Sequence, residues 1–492
     1  MAERPGATPF ALTAGQAEAA ERFGLWLRAP YDGTPFVLRG YAGTGKTYLS
    51  RHLLQQVEEL GLCWTVVAPT HKAVGVLRQQ LAWAGLQPTW FPSTIHRLLR
   101  LKLKRQGDLE RCEETEQTAA ALENLGLVLV DEASMVDSTL LEIALRCAHP
   151  FRTRLVFVGD PAQLPPVGEP HSPVFELERA VGADLSEVVR HQGPVLQLAT
   201  GLRNEQLPCQ QPPCFAPVRD RHGQVAALPR QAWLEAAQDA LRRGAELDNP
   251  DHARILCYTN RSLEQLVPLA RRAIHGEMAD QLPVLPGEVL ITRSAVMAPA
   301  CRAGEEAAEE PDMLLGSNRE LVVRDVSPDR CDLADFGVGT LAGDGFTAPV
   351  IETLCAEVEA GETRLSLRLL PPVGSGARQE LDAVLQRLRQ QAREAGKQDG
   401  RALWRRYFLV RDAFASLGPA AVLTVHRSQG STFTEVFIAG DVFWPSDRLL
   451  RRQLVYVAVS RASQAVWLVG DGHGGGDAQA GRAWVRWLRQ GA

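Results

Sequence analysis

The sequence predicts an α/β protein in which helices alternate with parallel strands, and in which an all-β segment with a helical arm interrupts the alternation. Strand-length apolar runs alternate with helical patterns through the first 200 residues, as in "TPFVLRG", "CWTVVAPT", "LGLVLVDEA" and "TRLVFVGD". This alternation is typical of a parallel sheet covered by helices. It stops after "RILCYTN" (254–260) and resumes at "AAVLTVHRSQG" (420–430).

The interrupting segment, roughly 285 to 415, has two parts. The first, from "GEVLITRSAVM" to "RLSLRLLPP", consists of short β-branched runs broken by Gly, Pro, Asp and Asn, which favours a small β-barrel. From about 377 the pattern becomes helical, and one face carries apolar residues with a spacing of three and four. These residues are Leu381, Val384, Leu385 and Leu388.

Composition sets broad limits on the function. The chain has 492 residues, enough for about three domains, with 45% hydrophobic and 23% charged residues. A net charge of −5 provides no general attraction for nucleic acid, so such a partner must be held by a local cleft. Nine scattered cysteines and the lack of a signal-like or membrane-spanning run predict a cytoplasmic protein. Cys209 and Cys214, which flank "QQPP", are a weak alternative metal or redox pair.

The segment "GYAGTGKT" (40–47) has the glycine, lysine and threonine spacing of a phosphate-binding P-loop. Glycines let several N–H groups point into one concavity, and a helix that starts near Lys46 adds the positive end of its dipole. Lys46 would reach the β- and γ-phosphates, and Thr47 would face Mg²⁺. An accidental glycine-rich turn is the alternative. The predicted ATP-binding residues here are Gly40, Ala42, Gly43, Thr44, Gly45, Lys46, Thr47 and Tyr48.

Two further segments offer the remaining parts of an ATP site. The apolar run "LVLV" is followed by Asp131 and Glu132, at the strand end where open α/β sheets bind ligands. Asp131 is predicted to hold Mg²⁺ and Glu132 to polarise the attacking water. Gln163, in the proline-rich "GDPAQLPPVG", is predicted to sense the γ-phosphate or to orient water. Surface charge and a solvated turn are the respective alternatives.

Nine segments occur in an order that resembles the motif series of superfamily 1 DNA helicases, and most closely the RecD and Dda type, whose members move 5′ to 3′. The resemblance runs from residue 12 to about 470. The segments are "LTAGQ", "GYAGTGKT", "VVAPTHKAV", "STIHRLL", "VDEAS", "GDPAQLPPV", "SEVVRHQ", "LTVHRSQGSTF" and "LVYVAVSRA".

The resemblance adds roles for three residues outside the P-loop and the acidic pair. It implies that Gln16 reads the adenine edge, and that Arg190 and Arg461 approach the γ-phosphate from the two lobes. Either arginine could instead be a surface ion-pair residue. ATP and Mg²⁺ are the implied cofactors, with Thr47 and Asp131 at the metal. The implied catalytic residues are Lys46, Glu132, Gln163, Arg190 and Arg461.

The resemblance also implies an architecture of two RecA-like parallel-sheet lobes with an inserted SH3-like β-barrel and a helical tower. The first lobe is expected over 1–200, with a β-hairpin pin at about 100–116. The second lobe is expected over 201–285 and 416–492, and the barrel and tower over 286–415. A pair of helices that merely improves solubility is the alternative for the tower.

A third set of residues is predicted to bind single-stranded DNA. Their hydroxyl, amide and imidazole groups suit phosphates better than base edges, so binding would be sequence-tolerant. For Thr70 and Ser93 the alternative is that each closes a helix N-terminus. The set comprises Pro69, Thr70, His71, Lys72, Thr94, His96, His426, Gln429, Ser431 and Thr432.

The expected function is therefore that of an ATP-dependent DNA helicase that moves 5′ to 3′, acting in DNA repair or recombination as a monomer. Its expected partners are single-stranded DNA and duplex junctions, with single-strand-binding or replication proteins as further candidates. An RNA-stimulated or protein-remodelling ATPase of the same fold is one alternative. A non-catalytic nucleic-acid-binding module is another.

Overall fold

The computed structural model describes residues 12–106, 109–187, 193–298, 313–339, 347–470 and 478–489. The first lobe begins with a helix and then alternates strands and helices. Its elements are α1 (Ala14–Arg28), β1 (Phe36–Gly40), α2 (Lys46–Glu59), β2 (Trp64–Ala68), α3 (His71–Ala84), β3 (Ser93–Thr94), α4 (Ile95–Leu98), β4 (Lys102–Gln106), β5 (Leu109–Glu113), β6 (Leu127–Val130), α5 (Ser138–Phe151), β7 (Arg154–Gly159) and β8 (Val181–Leu185).

Six of these strands form a parallel sheet in the order β3-β2-β6-β7-β1-β8. Strand β1 is buried on both faces, because Phe36 and Leu38 enter one apolar cluster and Val37 enters the other. Strands β6, β7 and β1 are neighbours and run in one direction. The chain segments that follow them, which begin at Asp131, Asp160 and Tyr41, therefore leave the sheet at one edge.

Strands β4 and β5 form a separate antiparallel ladder from the pair Lys102 and Glu113 to the pair Gln106 and Leu109. This is the hairpin that the sequence predicts near Gln106. Its connecting residues, 107 and 108, lie outside the described part of the chain. A strand-splitting role for the hairpin stays a prediction.

The chain then enters a second α/β unit. Its first elements are α6 (Pro194–Arg203), β9 (Phe215–Asp220), β10 (Gly223–Leu228), α7 (Arg230–Glu246), β11 (Ala253–Cys257), α8 (Asn260–His275) and α9 (Met278–Gln281). Helix α6 belongs to this unit, because Leu198 and Leu202 pack in one cluster with Val225 and Leu454. The predicted division after residue 200 is wrong, since it falls inside this helix and the packing places α6 with the second lobe.

An insertion follows that contains an antiparallel sheet and two helices. Its elements are β12 (Val289–Thr292), β13 (Val296–Met297), β14 (Met313–Leu315), β15 (Glu320–Asp332), β16 (Val350–Ala360), β17 (Thr363–Arg368), α10 (Gly376–Glu394), α11 (Lys397–Asp412) and β18 (Leu417–Pro419). Five strands pair in the linear order β17-β16-β15-β12-β18, and the SH3-like barrel stays a prediction. Because β18 pairs with β12, the insertion extends past the predicted limit of 415.

The helical arm packs against one end of the inserted sheet. Leu381, Val384 and Leu388 of α10 are buried in a cluster that includes Val410 of α11 and Ile351 of β16. The apolar face predicted from the sequence is thus the face that α10 buries. Leu385, the fourth predicted member, packs at the margin of this cluster.

The second lobe closes with β19 (Val422–Thr424), β20 (Phe433–Ile438), α12 (Arg448–Ser460), β21 (Ala462–Val469) and α13 (Ala478–Arg489). Its sheet has the order β19-β11-β20-β21-β10-β9, and all neighbours are parallel except the edge strand β9. Within the described ranges, every helix is too short or too polar to cross a lipid bilayer.

A buried ionic contact joins both lobes and the insertion. The ammonium of Lys72 on α3 lies 2.8 Å from a carboxylate oxygen of Glu320 on β15, and the guanidinium of Arg254 on β11 lies 3.7 Å from the same oxygen. Both cations lie 5.1 Å from the ring centroid of Phe433 on β20. Asp251 provides a second carboxylate, 3.4 Å from Arg254. We call these five residues the three-way junction.

We predict that Glu320→Gln lowers the free energy of unfolding by about 2 kcal/mol, because two partly buried cations lose their nearest counter-charge. Burial alone would raise the pKa of Glu320, but the charges of Arg254 and Lys72 outweigh it and the pKa is lowered. A lowered folded-state pKa means that this stabilisation is present above the usual glutamate pKa. It is lost as the pH falls through the folded-state value.

Urea unfolding of wild type and variant at pH 7 and at successively lower pH measures the effect. Glu352→Gln is the matched control, because Glu352 pairs with Arg330 at 2.7 Å but both side chains are at least 70% exposed. This control should change stability by less than about 0.5 kcal/mol. Equal losses for the two variants would contradict a stabilising role of the junction.

Candidate nucleotide site between the two lobes

The loop between β1 and α2 has the backbone of an anion-binding turn. Gly43 and Gly45 have φ values of 83° and 78°, in the left-handed region that favours glycine. Gly45 is also the N-cap of α2, so the unpaired N–H groups of the first helical turn face the loop. The segment predicted from its spacing therefore forms a helix N-terminus of the kind that binds phosphate.

Close packing explains the glycine at the start of the loop. A Cβ atom on Gly40 would lie 2.8 Å from Oγ1 of Thr44, 2.9 Å from Cγ of Lys46 and 3.1 Å from Cβ of Leu185. The first two of these neighbours belong to the loop itself. Any side chain at position 40 would therefore displace the loop.

Two polar side chains hold the loop from within the first lobe. The ammonium of Lys46 donates to the carbonyl oxygens of Gly40 at 2.7 Å and Tyr41 at 3.1 Å. Gln16, which is buried on α1, donates from Nε2 to the carbonyl oxygen of Thr44 at 3.1 Å. Its Oε1 accepts from the N–H of Thr13 in a capping box. The observed contacts of Gln16 thus support the loop, and adenine recognition by this residue stays a prediction.

The acidic pair lies at the end of β6. Burial, followed by the charge of Glu132, raises the pKa of Asp131 to about 6, while Lys46 acts in the opposite direction. Glu132 has a φ of 54°, unusual for a residue with a side chain, and its N–H donates to Oδ1 of Asp131 at 2.9 Å. Two adjacent acidic residues, one of them with a raised pKa, are a suitable environment for a divalent metal ion.

The donor set fits Mg²⁺. The described residues contain no group of three or more His, Cys, Asp or Glu side chains that could by itself hold a metal ion. Cys209 and Cys214 are free cysteines and belong to no such group. Mg²⁺ keeps several water ligands and is usually bound by one or two carboxylates together with phosphate oxygens. Asp131 and the hydroxyl of Thr47 would hold it, and it would neutralise charge on the phosphates.

Gln163 has an unsatisfied polar atom beside this site. Its side chain is 5% exposed, and its Oε1 has no hydrogen-bond partner among the residues that the structure describes. The preceding turn is ordered by Asp160, whose Oδ1 accepts from the N–H of Ala162 and whose backbone oxygen accepts from the N–H of Gln163. A buried amide oxygen without a partner can accept a hydrogen bond from a water molecule.

The second lobe forms the other wall of the cleft. Gly43, Lys46 and Thr47 line one side, and Ser460 and Thr432 line the other. Thr432, which was predicted to bind DNA, lies in the cleft wall directly before β20, and DNA binding by this residue stays a prediction. The site is therefore shared between segments that lie about 400 positions apart in the chain.

Arg461 flanks this cleft at the C-terminal end of α12. Its guanidinium is held by the second lobe, with Nη1 donating to the carbonyl oxygen of Ser431 at 3.3 Å and Nη2 to Oγ of Ser460 at 2.9 Å. Contact between Arg461 and a γ-phosphate stays a prediction. Arg190, the other predicted arginine, lies outside the described residues.

Tyr456 is a site residue that the sequence analysis missed. Its hydroxyl, on α12 of the second lobe, donates to Oδ2 of Asp160 at 2.7 Å and accepts from the N–H of Ala42 at 3.0 Å. Because the residue occurs within the apolar run "LVYVAVS", the sequence pattern indicates only a core position. The hydroxyl joins α12 to both the phosphate loop and the turn that carries Gln163.

Gln429 and Ser431, two members of the predicted DNA-binding set, are buried. Gln429 is 6% exposed and donates from Nε2 to the carbonyl oxygen of Leu164 in the first lobe, at 3.3 Å. Ser431 is 2% exposed. The Gln429 side chain lies in the contact between the lobes, because it bonds to the segment that follows Gln163, and DNA binding by Gln429 and Ser431 stays a prediction.

Two family matches agree with this two-lobe arrangement. Residues 11–211 match the family described as AAA domain, and residues 419–469 match the UvrD-like helicase C-terminal domain. The chain is 24% identical over 481 residues to the ATP-dependent DNA helicase dda of Enterobacteria phage T4, covering 93% of this chain and 99% of that protein.

The chain is similar to superfamily 1 helicases of the RecD and Dda type. The ATP-dependent RecD2 DNA helicase of Deinococcus radiodurans is 32% identical over 177 residues, which are 35% of this chain and 22% of that protein. A crystal structure of Pif1 helicase from Bacteroides, in complex with ADP-AlF3 and ssDNA, is similar over 93% of this chain and 92% of the Pif1 chain. It has 14% identity and a TM-score of 0.44.

The predicted DNA-binding residues of the first helicase lobe have mixed surroundings. Thr70 caps α3 and Thr94 caps α4, and each side chain accepts a hydrogen bond from a backbone N–H at 3.3 Å. The capping role is therefore observed for Thr70. At the second helix the cap is Thr94 and not Ser93. Lys72 takes part in the three-way junction, and phosphate binding by this residue stays a prediction.

Three histidines and a proline complete the predicted set. Burial lowers the pKa values of His71, His96 and His426, so these imidazoles are uncharged at neutral pH. An uncharged imidazole can still donate one hydrogen bond to a phosphate. Pro69 is half-buried directly before Thr70.

Phe91 is a second residue that the sequence analysis missed. Its side chain is 75% exposed, and the guanidinium of Arg78 lies 4.3 Å from its ring centroid. Arg78 is fixed by donating to the carbonyl oxygen of Pro92 at 2.6 Å. Phe91 lies two residues before "STIH" in the sequence, and its exposure, which only the structure shows, makes the ring available for stacking.

We predict that Gly40→Ala weakens nucleotide binding by about tenfold or more, because the added methyl group overpacks Thr44 and Lys46 and shifts the phosphate loop. Titration with a fluorescent ATP analogue measures the dissociation constant. Gly75→Ala on α3 is the control, because an added Cβ there meets no other part of the described structure within 4 Å beyond its own helix, and alanine favours a helix. An unchanged dissociation constant for Gly40→Ala would contradict the proposed packing role.

Proposed function

We propose that this helicase hydrolyses ATP to move 5′ to 3′ along single-stranded DNA and to separate the duplex ahead of it. The observation that carries the proposal is the shared cleft, lined by Lys46 and Thr47 from the first lobe and by Ser460 from the second. A nucleotide bound there contacts both lobes. Its hydrolysis can therefore change how the lobes sit against each other.

The residues of the first lobe have complementary roles in the proposed hydrolysis. The N–H groups of the loop and the ammonium of Lys46 bind the phosphates and stabilise the charge that develops on them. Glu132 accepts a proton from the attacking water, and the free Oε1 of Gln163 accepts a hydrogen bond that orients the same water. Asp131 and Thr47 hold the Mg²⁺ that neutralises phosphate charge.

The second lobe would respond to the presence of the γ-phosphate. Charge-assisted bonds from an arginine such as Arg461 exist only while that group is bound, so ATP favours a closed cleft and ADP an open one. Shifting a two-state equilibrium from 1:99 to 99:1 needs about 5.5 kcal/mol. Opening one DNA base-pair step costs about 1.4 kcal/mol. A difference in binding free energy of that size would exceed the cost of opening one base-pair step.

Several surface features support single-stranded DNA as the track. Phe91 offers an exposed ring on which a base can stack, and Arg78 beside it offers a positive charge. The β4–β5 hairpin follows α4 directly, so it lies next in the chain after the segment predicted to bind the strand. The relatives named above are DNA helicases, and the RecD and Dda motif pattern supports the 5′ to 3′ direction.

We predict that the helicase unwinds a duplex with a 5′ single-stranded tail in the presence of ATP and Mg²⁺, and that a 3′-tailed duplex of the same sequence stays paired. A strand-displacement assay with a fluorophore and a quencher on opposite strands measures both. ATPase rates with single-stranded DNA and with RNA of the same sequence are measured in parallel. Opening of only the 3′-tailed duplex would refute the direction, and stimulation by RNA alone would refute DNA as the track.

We predict that Lys46→Ala abolishes ATP turnover, because the loop loses its only cation to the phosphates, and that single-stranded DNA binding stays measurable. Fluorescence anisotropy of a labelled oligonucleotide measures binding, and a phosphate-release assay measures turnover. Lys104→Ala is the control, because Lys104 is a half-exposed hairpin lysine paired with Glu113 at 3.4 Å. Wild-type turnover in Lys46→Ala would remove the assignment of the loop.

A further inference from the structure

One buried hydroxyl of the second lobe contacts two catalytic segments of the first. Tyr456 is 2% exposed, and Asp160, to which it donates at 2.7 Å, is fully buried. The same hydroxyl accepts the N–H of Ala42 at 3.0 Å. Its one proton and its acceptor capacity are both used, and both contacts cross from one lobe to the other.

Asp160 connects Tyr456 to the turn that carries Gln163 through hydrogen bonds. One carboxylate oxygen of Asp160 binds Tyr456, and the other accepts from the N–H of Ala162 at 2.9 Å. The backbone oxygen of Asp160 accepts from the N–H of Gln163 at 3.2 Å. The orientation of the turn, and with it the free Oε1 of Gln163, therefore depends on a carboxylate that the second lobe fixes.

The position of Tyr456 on α12 connects it to the rest of the cleft. Tyr456 and Ser460 are four residues apart, so they lie on the same face of the helix. Ser460 lines the nucleotide cleft, and Arg461 follows it. A movement of the second lobe that displaces Ser460 from the cleft also displaces the Tyr456 hydroxyl from Asp160 and Ala42.

We propose that Tyr456 is a positioning residue that aligns Gln163 and the phosphate loop for hydrolysis only while the second lobe is docked. This inference rests on the proposed ATPase function and adds a means by which one lobe controls chemistry in the other. Tyr456 acts through Asp160 and Ala42 and does not itself touch the reacting atoms. Lobe docking and water orientation are thereby coupled through one hydroxyl.

The coupling predicts a specific kinetic change. Without the hydroxyl, a buried carboxylate oxygen of Asp160 and the N–H of Ala42 both lose their partner, and the turn before Gln163 is less well held. The ammonium of Lys46 and the other N–H groups of the loop still bind the phosphates. The rate of hydrolysis should therefore fall while the apparent affinity for ATP is retained.

The test is the steady-state ATPase of Tyr456→Phe at saturating single-stranded DNA. We expect kcat to fall about tenfold or more and KM for ATP to change by less than about threefold. Tyr31→Phe is the matched control, because it also removes one tyrosine hydroxyl, which here donates to the backbone oxygen of Ala148 away from the cleft. This control should retain wild-type kcat within about twofold.

A double variant separates positioning from general loosening of the structure. If Tyr456 acts through the turn, Tyr456→Phe should add little to the loss of kcat in a Gln163→Ala background, since the group that it positions is already absent. A full multiplicative loss in the double variant would overturn the inference. Unchanged kcat in Tyr456→Phe alone would also overturn it.

A second variant covers the case in which Tyr456→Phe does not fold, as judged by circular dichroism and thermal melting. Asp160→Asn alters the same contact from the first lobe, and it should show the same loss of kcat at a nearly constant KM. Wild-type kcat in this variant would overturn the inference. A wild-type ATPase rate that is not stimulated by nucleic acid would instead refute the proposed function. Failure of the inference about Tyr456 and failure of the proposed function are therefore distinguishable.

Discussion

The arrangement of the site depends on a geometric property of the parallel sheet. Strands β6, β7 and β1 are neighbours that run in the same direction, so their carboxyl ends meet at one edge. This edge brings together the phosphate loop, Asp131 and the turn with Gln163, which are distant in sequence. A different strand order would keep every motif intact and still separate the lysine, the carboxylates and the amide.

The contact between the lobes includes buried polar contacts beside the site. Tyr456 and Gln429 cross from the second lobe to Asp160, Ala42 and Leu164, and both side chains are almost fully buried. Buried polar groups are costly when they lose their partners, so these contacts favour one defined docking position over many similar ones. An apolar interface would bind as well but would define the position of Gln163 less sharply.

The three-way junction extends this coupling to the insertion. Glu320 lies at the start of β15, and its carboxylate contacts Lys72 from the first lobe and Arg254 from the second. Lys72 is the third residue of the segment "THK", whose threonine caps α3. The Glu320 carboxylate thus connects the insertion to α3, the helix at the predicted DNA-binding residues. The overall charge of the chain gives no indication of this contact.

Local motifs explain what the sequence by itself determined. The phosphate loop, the acidic pair after β6, the capping threonine Thr70 and the apolar face of α10 all depend on residues within a few positions of each other. Backbone preferences and helical periodicity act over that range. Tertiary structure alone decided the placement of Lys72, Gln429, Ser431, Thr432 and Tyr456, because their neighbours lie on other parts of the chain. Their residue types suit several environments, and only the packing of two lobes and an insertion selects among them.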